Sequence, residues 1–372
     1  MAKLGDIATY INGYAFKPQD WSDEGIPIIR IQDLTGNSYQ ANRYNGEYAS
    51  KYEVNDGDVL ISWSASLGVY IWHGEKAVLN QHIFKVVFDK ERISKDFFVH
   101  QVGLILANAA SDAHGATMKH LTKPVFDALP FYLPPYEKQC EIAEVLDKVT
   151  SLISLRKQQL AKLDELVKAR FVEMFGDPVN NPMNYPKSQL GKVCDVRDGT
   201  HDSPEYYDVG YPLVTSKNVT GGKIDLSECN LISEDDYKKT CERSKVDRGD
   251  IIMPMIGTVG KPVIVNIEPM FAIKNVALIK FTLDSLVTNI YIKTLLESDY
   301  FDRAVLDKIR GGTQKFIALG DIRKLEIILP DLKHQQCFST FVERVDQQKQ
   351  PIQQSLEKLE LMKKALMQEY FG

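Results

Sequence analysis

The chain has 372 residues, of which 44% are hydrophobic and 26% charged, and its formal net charge is −5. These proportions exclude a disordered or collagen-like chain, and at about 150 residues per domain the length predicts two or three domains. No apolar run approaches the length of about 18 residues that a membrane span requires. The start Met1-Ala2-Lys3-Leu4-Gly5-Asp6 lacks a signal-peptide core, so a soluble cytoplasmic chain is expected. The five cysteines are odd in number and form no CxxC pair, which predicts reduced thiols rather than a disulfide framework or zinc site.

In chain order, a first front (1–133) carries short β-rich runs at 26–31, 59–62 and 83–88, then a helical stretch near 95–110. A helical spacer follows at 134–176. Within it Ile142, Leu146, Val149, Ile153, Leu160, Leu163, Val167 and Met174 fall on alternating four- and three-residue steps, with Arg156 and Arg170 filling the gaps. That spacing is a heptad seam. Residues 177–186 hold Pro178, Pro182 and Pro186 and read as a linker. A second front (187–329) has β-rich runs at 212–215, 251–255 and 277–281 and a helical stretch at 286–309. A second spacer (330–372) repeats the seam with Phe338, Val342, Val345, Ile352, Leu356, Leu359, Leu366 and Tyr370, broken by Lys349 and Lys363. Pro351 should kink this helix or open a fresh one.

The order repeats because the sequence does. Gly25-Ile26-Pro27-Ile28-Ile29 returns 185 residues on as Gly210-Tyr211-Pro212-Leu213-Val214. Val54-Asn55-Asp56-Gly57-Asp58 returns 192 residues on as Val246-Asp247-Arg248-Gly249-Asp250. From Thr117-Met118-Lys119 and Thr313-Gln314-Lys315 the separation stays at 196 residues through Phe175-Gly176 and Phe371-Gly372. A growing offset means loop insertions in the second front, and a constant one means helices that tolerate none. The expected fold is therefore α+β: a tandem duplication of a β-rich domain plus a long helix, the two helices packed as an antiparallel coiled coil. Segment 11–17 finds no match to 198–201.

Both copies resemble the repeat of the specificity subunit of Type I restriction-modification systems. The resemblance lies in Leu133-Pro134-Pro135-Tyr136-Glu137-Lys138-Gln139 and its echo Leu329-Pro330-Asp331-Leu332-Lys333-His334-Gln335. It extends to Phe175-Gly176-Asp177-Pro178, Asp198-Gly199-Thr200-His201, Asn80-Gln81-His82 and the paired Gly-Asp runs. The resemblance implies a non-catalytic chain whose fronts are target-recognition domains, each reading half of a split site on double-stranded DNA. It implies two methyltransferase subunits docked on the helices, joined by motor-nuclease subunits. S-adenosylmethionine, ATP and Mg are then expected on those partners, and no cofactor on this chain. Residues 149–171 would span roughly 33 Å as helix, close to the turn of about 34 Å in B-DNA.

No catalytic motif opposes this reading. Leu133-Pro134-Pro135-Tyr136 looks like the tetrapeptide of adenine methyltransferases, but Leu133 cannot accept from an amino group. No glycine-rich cofactor loop follows a first strand, and GxxxxGK[ST] is absent. His114 and His120 lack a third metal ligand. A self-contained methyltransferase is thus disfavoured, while an orphan specificity protein and a coiled-coil adaptor are the other readings.

Neither front is basic overall: residues 1–133 hold 12 Lys and Arg against 15 Asp and Glu, and residues 187–329 hold 20 against 21. DNA contact must come from local patches. Arg or Lys suits guanine, and Asn or Gln suits adenine. The candidates are Lys17, Arg30, Gln32, Asn80, Gln81 and His82 in the first front, and Thr200, His201, Lys217, Asn218, Lys274 and Asn275 in the second. The blocks with Thr117 and Lys119, and with Thr313, Gln314 and Lys315, suit phosphate, because glycines admit the backbone and Thr and Lys donate. Arg30-Ile31-Gln32 is paired with Ser216-Lys217-Asn218, and Gln81 with Asn275. Trp63 is expected in the core.

Overall fold

The computed structural model describes residues 1–36, 42–112, 121–201, 203–256, 260–305 and 316–372. The chain forms two compact units, residues 1–157 with 354–372 and residues 158–353. Each contains one front and parts of both long helices.

In the first unit an antiparallel sheet runs in the order Thr9–Asn12, Ile83–Val87, Val59–Ser62, Gly68–Ile71. A second sheet pairs Ile26–Ile29 in parallel with Ala77–Leu79. The second unit repeats both. Asp195–Asp198, Val276–Lys280, Ile251–Pro254 and Val263–Ile264 form the antiparallel sheet, and Tyr211–Val214 lies parallel to Ala272–Ile273. All four residues of Val59–Ser62 and of Ile251–Pro254 are buried. Covering on both faces explains why these strands read as apolar runs rather than alternating patterns.

The paired Gly-Asp runs are the turns that open those strands. Gly57 and Gly249 take φ of 81° and 95°, a region open to glycine. Asp58 Oδ2 accepts the Asn55 N–H at 2.9 Å and Asp250 Oδ2 the Asp247 N–H at 2.8 Å. The helix after the first sheet is Lys95–Asp112. Its counterpart, expected as one helix over 286–309, is two: Asn289–Leu296 and Asp299–Ala304. Ser298 between them has extended backbone and donates its hydroxyl to Leu295 O at 2.6 Å, and this competition with the helical ladder ends the first helix. Residues 306–309 of that expectation lie outside the described residues.

The long helices are Tyr136–Phe175 and Leu332–Phe371. The second runs on through Pro351 as one helix, so the proline does not open a fresh helix there. The hydrogen bond lost to proline would have been to the carbonyl of Gln347, an exposed residue that water can serve. The helices pack antiparallel within each unit, the residue number rising along one as it falls along the other. In the first unit Arg156 Nε meets Ser355 Oγ at 3.3 Å, Lys157 pairs with Glu360 at 2.9 Å, and Ile142 and Leu146 share a core with Leu366 and Tyr370. In the second, Lys349 pairs with Asp164 at 2.6 Å, Arg170 lies over Phe341, and Phe171 and Phe175 pack on Phe338. The heptad positions are the less exposed ones along both helices, Arg156 and Arg170 included. Among the described residues no helix is long and apolar enough to cross a membrane.

Buried glutamines anchor both helices. Gln139 donates to Pro134 O at 2.9 Å and accepts the Ser94 N–H at 2.9 Å. Gln335 donates to Pro330 O at 2.8 Å and accepts the Thr288 N–H at 2.8 Å. The Leu-Pro…Gln motif is therefore a bolt between the helix start and the front.

Candidate nucleic-acid interface

Each first strand leaves its sheet through a glycine and a polar residue held by the same bonds. Gly13 N–H donates to Ile83 O at 3.1 Å and Tyr14 N–H to Leu79 O at 2.8 Å; Gly199 N–H donates to Val276 O at 3.1 Å and Thr200 N–H to Ile273 O at 2.9 Å. A Cβ on Gly13 would overlap the Asn80 carbonyl, and one on Gly199 the Ile273 carbonyl. Segments 11–17 and 198–201 thus occupy one place in the two copies, although their sequences show no match. The shared glycine is the whole signal, and one residue is too little to align.

Two other sequence pairings shift by one. Asn80 N–H donates to Ile29 O and Lys274 N–H to Val214 O, at 3.1 and 2.9 Å, so Asn80 answers Lys274. The residue before the next strand is left-handed in both copies, His82 with φ 72° and Asn275 with φ 55°. Hence His82, not Gln81, answers Asn275, and the first front carries one extra residue. Likewise Asp33 caps the turn opened by Arg30 as Asn218 caps that opened by Thr215. Arg30 therefore answers Thr215 rather than Ser216.

In the first front Lys17 is exposed, its backbone N–H bound to Asp20 at 2.8 Å. Arg30 is held: its side chain is 16% exposed, 3.8 Å from Asp33, and 5.7 Å from the Trp21 ring. Gln32 sits half-buried in the single-turn helix Ile31–Leu34. Asn80 Oδ1 accepts the Gln81 N–H at 2.9 Å. His82 stands edge-on to Trp63, which stacks on Phe84 and donates its Nε1 to Asn12 Oδ1 at 3.2 Å. Trp63 is half-buried against the core, as expected. Sequence reasoning missed Tyr14, 44% exposed and packed on Phe16 and Tyr52; an aromatic residue straight after a strand-ending glycine was the available signal. Thr117 and Lys119 lie outside the described residues.

In the second front the structure gathers Thr200, His201, Lys274 and Asn275. His201 Nδ1 faces Asn275 Oδ1 at 2.9 Å and its Nε2 faces Asp198 Oδ2 at 2.8 Å. These bonds, Asn275 first and Asp198 next, hold the imidazole pKa above its usual value. Burial works to raise the Asp198 carboxyl, but hydrogen bonds from His201 and Arg243 outweigh it and keep it below the usual carboxylate range. Lys274 Nζ donates to Ser203 Oγ at 2.8 Å. Lys217 is exposed. Asn218 is turned inward: it is 8% exposed, and its Oδ1 accepts the Thr215 N–H and hydroxyl at 3.0 and 2.9 Å. Thr313, Gln314 and Lys315 lie outside the described residues.

An open cleft of about 430 Å³ adjoins this group, lined by Thr200, Ser203, Asp236, Lys239 and Arg243 among others. Lys239 and Arg243 were missed because their helix, Glu234–Ser244, is a run of mixed charge that reads as a solvated surface. Its Ser233 N-cap, accepting from Asp236 N–H at 3.1 Å, followed by three acidic residues, was the signal for a helix there.

The chain is a duplicated α+β module with antiparallel helical arms, each copy presenting different polar and aromatic residues from one repeated backbone frame. The chain belongs to the Type I restriction modification DNA specificity domain family, whose model matches residues 1–165 and 182–361. It is similar to the Type I restriction enzyme EcoBI specificity subunit of Escherichia coli, with 23% identity over 92% of this chain and 78% of that protein. It is also similar to the Type I restriction enzyme MjaVIII specificity subunit of Methanocaldococcus jannaschii, with 24% identity over 99% of this chain and 90% of that one. Among solved structures, the Type I restriction-modification system S subunit from M. genitalium shares the fold. The TM-score is 0.53 at 13% identity, covering 100% of this chain and 95% of that one.

Proposed function

We propose that this chain is the non-catalytic DNA reader of a Type I restriction-modification complex, directing adenine methylation and restriction without performing either. Each front reads one half of a split, asymmetric site, and the helices dock two methyltransferase subunits, which the motor-nuclease subunits join. S-adenosylmethionine, ATP and Mg belong to those partners, and the complex works in the cytoplasm.

One observation supports the asymmetry above all. The two fronts share a backbone frame down to single hydrogen bonds, yet present Tyr14 against Thr200 and His82 against Asn275. A common frame with different side chains is what two reading heads for two different half-sites require.

Long-read sequencing of DNA from a host carrying this chain with its genomic neighbours, scored for N6-methyladenine, tests the proposal. A split, asymmetric motif that vanishes when the gene is deleted is expected. Exchanging residues 1–130 for another front should then change one half-site and spare the other. Both halves changing together would overturn the modular reading, and a motif indifferent to the deletion would overturn the reading role.

A further inference from the structure

Two consecutive residues of the strand Asp195–Asp198, Arg197 and Asp198, fix Arg243, the penultimate residue of the helix Glu234–Ser244. Arg197 Nη1 donates to the Arg243 carbonyl at 3.0 Å and so holds its backbone. Asp198 Oδ1 accepts from Arg243 Nη2 and so holds its side chain, while Asp198 Oδ2 takes the bond from His201. The carboxylate is 14% exposed and the guanidinium 59% exposed. Among the described residues, Arg243 Nε and Nη1 carry no hydrogen bond, and the side chain lines the open cleft with Thr200, Ser203 and Lys239.

A planar guanidinium gripped on one nitrogen by a buried-edge carboxylate loses little rotamer freedom on binding and keeps donors for a second acceptor pair. The acceptor pair that matches this fork on a DNA base edge is guanine O6 and N7 in the major groove. A phosphate would also accept from Arg, but it needs no such orientation, and Lys239, exposed on the same helix, suits that task. Among the described residues the first front has no equivalent device. Asn12 stands where Asp198 does and is engaged by Trp63 Nε1, and the corresponding stretch holds the single turn Ser50–Tyr52 in place of the helix.

We propose that Arg243, with Asp198 as its positioning residue, reads a guanine in the half-site of the second front. This inference rests on the DNA-reading role proposed above and adds a base to it. Long-read N6-methyladenine mapping of the full chain with its methyltransferase, compared with Arg243→Ala and Lys239→Ala, is the test. With Arg243→Ala, one guanine in one half-site should relax to other bases, its discrimination falling about ten- to a hundredfold, while the other half-site stays fixed. Lys239→Ala should lower methylation at all sites without changing the motif. Asp198→Asn should relax the same guanine, and the double variant should relax it no further than Arg243→Ala.

An unchanged motif, a uniform loss resembling that of Lys239→Ala, or relaxation at a base other than guanine overturns the inference and leaves the reading role intact. A wild-type chain that yields no chain-dependent motif overturns both. If Arg243→Ala supports no methylation at all, Arg243→Gln decides: a guanine preference weakened or moved toward adenine supports the assignment, and an undiminished guanine preference overturns it.

Discussion

Gln335 and Thr288 are joined by a buried bond in which the glutamine Oε1 accepts the backbone N–H at 2.8 Å. The same side chain donates Nε2 to the carbonyls of Pro330 and Leu286 at 2.8 and 3.0 Å, with the residue 0% exposed. One amide thus satisfies groups on both sides of the junction between the second front and its long helix. Gln335→Leu keeps the volume but strands those groups, and should cost about 2–4 kcal/mol. Urea unfolding of the full chain, read by hydrogen exchange in residues 158–353, checks this; a loss below about 0.5 kcal/mol would remove the bolt from the account of the fold.

His201 makes a pH prediction whose sign follows from its partners. Its folded pKa lies above the usual 6.5 because Asn275 and Asp198 accept from the ring. The stabilisation is therefore complete below about pH 6.5 and is lost as pH rises through the folded value. Asp198, held low, contributes in the opposite sense: its share is lost as pH falls through its own folded value. NMR titration of the His201 ring should give a raised midpoint, and Asp198→Asn should bring that midpoint down.

Gly13→Ala and Gly199→Ala place a methyl group against the Asn80 and Ile273 carbonyls respectively. Each should destabilise its own unit by about 1–3 kcal/mol, the range for overpacking. Hydrogen exchange should show lost protection in Thr9–Asn12 for the first variant and in Asp195–Asp198 for the second. Loss in the other unit's strand would contradict the equivalence of the two glycines.

Lys349 and Lys363 interrupt the same seam with different consequences. Burial acts against charged Lys349, but its bond to Asp164 more than compensates and raises its pKa. Lys363 is lowered, chiefly by burial. Lys363→Met should therefore raise the thermal midpoint, whereas Lys349→Met should leave it unchanged or lower it, since it gives up the ion pair with Asp164. Differential scanning calorimetry of the two variants separates these outcomes.

The strands were legible where both faces are covered. The expected run 59–62 is the strand Val59–Ser62, and 83–88 differs by one residue from Ile83–Val87. The heptad seam was legible too, because a 3.5-residue period survives two arginines and a proline. What escaped depends on which partner a side chain takes, whether near or distant in sequence. Asn218 and Lys217 look alike as candidate readers, yet Thr215 draws one inward. Arg243 looks like ordinary helix surface until Asp198, 45 residues away, is seen to hold it. The left-handed residue pairs His82 with Asn275, an equivalence hidden by one inserted residue and two unlike side chains.

The first compact unit is made of residues 1–157 together with 354–372, and its core receives Leu366, Met367, Tyr370 and Phe371. The order in which this chain leaves a ribosome is therefore not the order in which its parts can be finished. Residues 158–353 emerge as an unbroken stretch and can close on themselves, while the front synthesised first waits for a segment made after them. A nonsense codon just before Gln354 would spare residues 158–353 and strand residues 1–157, so a late stop would be felt in the front made earlier.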